Sequence, residues 1–134
     1  MVTDTLGTGK FMKPCIKKYD ISREYFFAEG CFITELSNTS DDPALSIARV
    51  RVAPGKTTQW HCLRGVTERY VILEGIGSVE VGNLEPQVVN VGDTVIIPSE
   101  ERQRISNIGE NSLFFLAICS PRFEESVYVE IRGT

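Results

Sequence analysis

GKTTQWHCLRGVTERYVILEG (residues 55–75) and GDTVIIPSEERQRISN (residues 92–107) carry glycines, a proline and polar residues at fixed offsets. Gly55 stands six residues before His61, Glu68 seven after it, and Gly75 seven further on. Gly92, Pro98, Gln103 and Asn107 then follow at spacings of six, five and four. Both stretches are apolar runs punctuated by turn residues, and no window of a dozen residues carries a helical stripe.

The same rhythm extends outward. Strands are predicted at 31–36, 46–53, 68–73, 78–81, 88–91, 94–98, 103–107, 113–119 and 127–131, rich in Val, Ile and Phe. Turn signals fall at Pro54-Gly55, Gly75-Ile76-Gly77, Gly82-Asn83, Gly92-Asp93 and Asn107-Ile108-Gly109. One short turn is expected around Pro121 to Glu125. Many short strands at regular spacing mean an all-β sandwich or barrel, and closure removes unpaired edges. The predicted organisation is an arm at 1–20, a barrel at 21–120 and a C-terminal strand or arm at 121–134. The arms are expected to cover the barrel or a neighbouring subunit, which suggests a homodimer.

At 134 residues the chain fits one domain with a real core. A net charge of −4 gives no electrostatic reason to expect nucleic acid or an anionic membrane as partner. No apolar run approaches bilayer length and no signal-type stretch opens the chain, so a cytoplasmic location is the default expectation. Cys15, Cys31, Cys62 and Cys119 form no CxxC pair and read as free thiols. Gly7-Thr8-Gly9-Lys10 lacks the preceding strand of a phosphate loop, and Asn38-Thr39-Ser40 has no export signal to make it a glycosylation site.

His61 is the only histidine, and a lone histidine is more often structural than a ligand. Its neighbours at the quoted offsets change that weighting. The two stretches resemble the paired motifs of the cupin family, G-x5-H-x-H-x(3,4)-E-x6-G and G-x5-P-x-G-x2-H-x3-N. Gly55, His61, Glu68 and Gly75 match the first; Gly92, Pro98 and Asn107 match the second. Leu63, Glu100 and Gln103 stand where the family has His, Gly and His.

The resemblance implies a cupin-type double-stranded β-helix, a jelly-roll barrel, with His61, Glu68 and Gln103 converging inside it as metal ligands. Residues 61 and 63 share a face if that segment is extended. One imidazole, one carboxylate and one amide form a weaker set than three imidazoles and a carboxylate. A divalent ion such as Mn²⁺, Fe²⁺ or Zn²⁺ would therefore be weakly held. Without a metal, the three form a hydrogen-bonded polar trio, and a buried Glu68 still needs protonated His61 or an arginine.

Arg49 and Arg51 share one face of their strand, with Ala48, Val50 and Val52 on the other. Facing inward they would bind a carboxylate or phosphate; facing outward, the reading we favour, they pair with acidic neighbours. Alternation sends Tyr70 inward beside Glu68 and sends Arg69, Arg102 and Arg104 outward, while Trp60 and Cys62 point away from His61. The expected function is a metal-dependent enzyme acting on a small polar metabolite, with Glu68 catalytic and Gln103, Arg49, Arg51 and Tyr70 as ligand-binding candidates. Isomerase, lyase and dioxygenase activities all occur in the family. The alternative is a non-catalytic barrel holding a sugar or carboxylate.

Overall fold

Period-two alternation in β3 (Ser46–Val52) buries Ser46, Val50 and Val52 and turns Arg49 and Arg51 to the other face. The same device repeats along the chain, giving a computed structural model that describes residues 12–132. The remaining strands are β1 (Tyr25–Phe27), β2 (Cys31–Ser37), β4 (His61–Leu63), β5 (Thr67–Glu74), β6 (Gly77–Val81) and β7 (Gln87–Val89). They are followed by β8 (Thr94–Ile97), β9 (Gln103–Asn107), β10 (Leu113–Ser120) and β11 (Tyr128–Glu130).

Two antiparallel sheets form. The larger runs β1-β2-β3-β10-β5-β8 and the smaller β11-β4-β9-β6-β7. Between them lies an apolar core that includes Val52, Ile72, Ile97, Ile105, Leu113 and Phe115, each at most 1% exposed. This double-sheet all-β architecture is the one expected. The nine expected strands are present, with ends shifted by two residues at most, and β1 and β4 add to them. The turn expected at Pro121 to Glu125 lies later, as a 3₁₀ turn at Glu125–Val127.

The motif residues fix the connections. Asn107 donates through Nδ2 to the carbonyls of Val52 and Asn111, each at 2.8 Å, and accepts from the Gly109 amide through Oδ1 at 2.9 Å. One buried amide thus ties β9 to β3 and to the turn before β10. Gly75 adopts φ +90°, and a Cβ there would meet the Ser112 carbonyl oxygen at 2.9 Å, so only glycine fits. Glu100, standing where the family has glycine, takes the left-handed conformation at φ 72°, with its carboxylate accepting from the Gly65 amide at 2.8 Å.

The C-terminal strand covers its own barrel: β11 pairs with β4 in the register Tyr128↔Leu63, Val129↔Cys62, Glu130↔His61. Residues 12–20 form no regular structure and are exposed. The rest of the expected N-terminal arm, including Gly7 to Lys10, lies outside the described residues.

Candidate functional site

His61 and Gln103 are register partners across β4 and β9 in the smaller sheet. Glu68 lies on β5 in the larger sheet, opposite Cys119 of β10. All three side chains turn inward: His61 is 2%, Glu68 8% and Gln103 1% exposed. His61 and Gln103 both lie near enough to Glu68 to act on its carboxyl. Leu63 shares the inward face, where it packs with Val66 and Cys119 and against Phe123 and Tyr128.

A fourth residue joins them. Glu29, in the turn between β1 and β2, brings Oε1 to 3.8 Å from His61 Nε2, with 13% of its side chain exposed. That separation is an electrostatic contact rather than a hydrogen bond. The Glu29 position is set by the backbone, since its carbonyl accepts from the Gln59 amide at 2.7 Å. Gln59 also accepts, through its own carbonyl, from Nδ1 of His61 at 2.7 Å. Because a carbonyl can only accept, Nδ1 carries the proton and the Nε2 lone pair faces Glu29. Tyr128 stacks on the imidazole at 5.0 Å between centroids and 20° between planes, closing it from solvent.

Gln103 is oriented from the opposite side. The Tyr70 hydroxyl donates to its Oε1, which leaves Nε2 without a protein partner, as is Oε1 of Glu68. Buried polar atoms without partners are uncommon and mark places where a water or a polar ligand atom is accepted.

A cavity of about 50 Å³ opens beside these groups. Glu29, Glu68 and Tyr70 line it, together with Glu35 and apolar side chains such as Phe27 and Phe115. His61 and Gln103 do not line it; they contact its wall from behind, through Glu29 and Tyr70. The pocket is thus centred on Glu29 and Glu68 rather than on His61, Glu68 and Gln103.

Burial dominates the electrostatics. It pushes the Glu68 carboxyl up to about 7, the Glu29 charge adds to the rise, and His61, Gln103 and Cys119 oppose it. Glu29 is likewise pushed up to about 7 by burial, with the Cys31 thiol opposing. His61 is lowered by burial, against the Gln59 carbonyl and the Glu68 charge, so its neutral form is favoured. Cys31 and Cys119 are raised by burial and then by the neighbouring carboxylates, which leaves unreactive thiols.

Arg49 and Arg51 face outward, the orientation favoured from the sequence, and so drop out of the ligand-binding candidates. Neither reaches the cavity, because alternation points both to the outer face of β3. There Arg49 lies 4.0 Å over the Phe114 ring, and Arg51 forms a two-pronged pair with Glu24 at 2.8 and 3.1 Å. Arg69 donates to the Ser120 hydroxyl at 2.7 Å, and Arg102 and Arg104 sandwich Trp60 at 4.3 Å each, all outside the barrel. An arginine partner for Glu68 is therefore excluded among the described residues.

The site fits a divalent metal poorly. Gln103 Oε1 is engaged by Tyr70, Leu63 offers no donor, and His61 Nε2 faces Glu29. Among the described residues no group of three or more His, Cys, Asp or Glu side chains is arranged to hold a metal ion. Glu29 is the residue that sequence reasoning missed. Its only signal is a single carboxylate inside the apolar run Tyr25 to Ile33.

The comparisons with known proteins agree on the architecture. The cupin domain family matches residues 48–119. An uncharacterized protein of Methanocaldococcus jannaschii is 33% identical over 114 residues, covering 84% of this chain and 90% of the relative. KdgF from Halomonas sp. superposes with a TM-score of 0.72 at 17% identity, covering 84% of this chain and 99% of KdgF. Pac13, a nucleoside dehydratase, superposes with a TM-score of 0.69 at 22% identity, covering 86% and 90%. A Streptomyces Pac13 variant is known with uridine. With both motifs, the double-stranded barrel and the family match in agreement, the chain belongs to the cupin domain family.

Proposed function

We propose that this cupin is a small-molecule enzyme of the lyase or isomerase kind that works by proton transfer. Glu68 and Glu29 are its acid–base pair, and His61 positions Glu29 from behind. One observation carries the reading: two buried carboxyls, with no cationic partner among the described residues, line one largely apolar cavity, and burial pushes each up to about 7. A carboxyl poised near working pH can donate a proton in one half-reaction and accept one in the other. Tyr70 lines the cavity, and Gln103 supports it from behind by accepting from the Tyr70 hydroxyl.

A direct test follows the solvent proton. The protein is incubated in deuterated water with neutral carbonyl and polyol compounds, and deuterium incorporation or elimination is read by NMR. Glu68→Gln is expected to cut the rate by about a hundredfold or more. Turnover undiminished in both Glu68→Gln and Glu29→Gln would contradict the proposal. Binding in the cavity without proton exchange would leave the barrel as a binding module.

The unpartnered Glu68 Oε1 favours a second reading, in which His61 and Glu68 hold Mn²⁺, Fe²⁺ or Zn²⁺ weakly. Metal analysis of the purified protein separates the two. A homodimer is proposed because Met12 and Ile16, 63% and 84% exposed, offer apolar surface along the extended N-terminal segment. A cytoplasmic location is proposed because all four cysteines are free. No helix among the described residues is long and apolar enough to cross a membrane.

A further inference from the structure

Three carboxylates, Glu29, Glu35 and Glu68, line the cavity, and among the described residues no arginine, lysine or histidine side chain does. Three arginines of the β3 and β5 strands are engaged elsewhere: Arg49 lies over Phe114, Arg51 pairs with Glu24, and Arg69 bonds Ser120. Glu68 is the most deeply set of the carboxylates. It is 8% exposed, and its Oε1 has no hydrogen-bond partner while its side chain faces the cavity. Much of the remaining wall is aromatic, with Phe27, Tyr70, Phe115 and Phe123.

This lining selects by charge. A carboxylate or phosphate ligand would add a further negative charge to a low-dielectric space that offers no counter-charge. A cation would instead meet the unpartnered Oε1 of Glu68 and the negative faces of the rings. The volume of about 50 Å³ admits a group of only a few heavy atoms.

We propose that the cavity recognises a small organic cation, a protonated amine head group seated against Glu68 and Glu29 and flanked by Phe27 and Phe115. This rests on the reading of the cavity as the functional site and adds the chemical class of its ligand. It also sets aside the carboxylate ligand that inward-facing arginines would have bound.

The test is a calorimetric titration of the full chain, freed of metal by chelation and dialysis, at constant ionic strength. The probes are propylammonium chloride, sodium butyrate, propanol and manganese chloride. Propylammonium is expected to bind at least about tenfold more tightly than butyrate or propanol. Glu68→Gln is expected to weaken it by about tenfold or more with no loss of melting temperature. Glu35→Gln, a change at a less buried position, is expected to weaken it less. Butyrate binding as tightly as propylammonium would overturn the charge preference and leave the cavity as a binding site. Mn²⁺ binding without propylammonium binding would make this a metal site and overturn the proposal. Absence of binding by all four probes would overturn both the ligand class and the cavity as the functional site.

Discussion

Nε2 of His61 faces Oε1 of Glu29 at 3.8 Å, although the two residues come from different parts of the chain and only one of them lies in a family motif. The imidazole is locked by the Gln59 carbonyl at Nδ1 and covered by Tyr128, so its remaining lone pair has a single direction. Glu29 joins that lone pair to the cavity, where Glu68 stands as the second carboxyl. A histidine that looks like a metal ligand by sequence is thereby arranged as a partner of a carboxyl.

Replacing Glu68 by Gln tests the buried charge through stability. The folded carboxyl is raised to about 7 from an ordinary 4.5, so the folded state holds this proton more tightly than the unfolded state does. Raising the pH from about 4.5 to about 7 therefore removes stability, at most about 3 kcal/mol, and above 7 no more is lost. His61 acts in the opposite sense. Its lowered value contributes stability above its ordinary 6.5 that is lost as pH falls, and the Glu68 charge opposes that lowering in the wild type only. The stability of Glu68→Gln minus that of wild type should be near zero at pH 4.5, grow with pH and level off above 7. Denaturant melts across this range check it; a Gln variant less stable at pH 8 would indicate a hidden cationic partner.

Restoring the family's imidazoles should create a metal site. In Leu63→His/Gln103→His, residues 61, 63 and 103 all project inward around Glu68. Affinity for Zn²⁺ or Mn²⁺ should rise by about 3 kcal/mol or more over wild type, read by calorimetric titration. Equal affinities would mean that strand geometry, and not donor type, separates this chain from metal-binding cupins.

Asn107 is predicted to be structural. Its three hydrogen bonds join both sheets at a buried position. Asn107→Ala should cost about 2–4 kcal/mol, seen as a drop in melting temperature, without altering ligand preference in the cavity.

Much of the fold was legible because glycine, proline and asparagine act locally. Gly75 and Asn107 announce their conformations through residue type, and alternation in β3 and β5 separates inward from outward positions. His61, Glu68, Gln103 and Tyr70 were readable as inward-facing for the same reason. Glu29 was not, because a turn residue carries no periodicity and its proximity to His61 arises only when the β1–β2 turn docks on Gln59. The facing of Arg49 and Arg51 could be narrowed to two choices by alternation but needed β2 and β10 packed on either side to decide. Glu100 shows the limit of motif reading, since a glutamate holds the backbone conformation that the family gives to glycine.

The protonation state of the two buried carboxyls tests the account most directly. Carbon-13 shifts of the glutamate side-chain carboxyls, followed from pH 4 to 9 and assigned with Glu29→Gln and Glu68→Gln, report it. Because the two carboxyls interact, they titrate as a pair. The account predicts two carboxyls titrating together near 7, raised from 4.5 by burial, with His61 neutral beside them at pH 7. Both carboxyls titrating near their ordinary 4.5, with His61 protonated at pH 7, would show an ion pair instead and contradict the proton-transfer site.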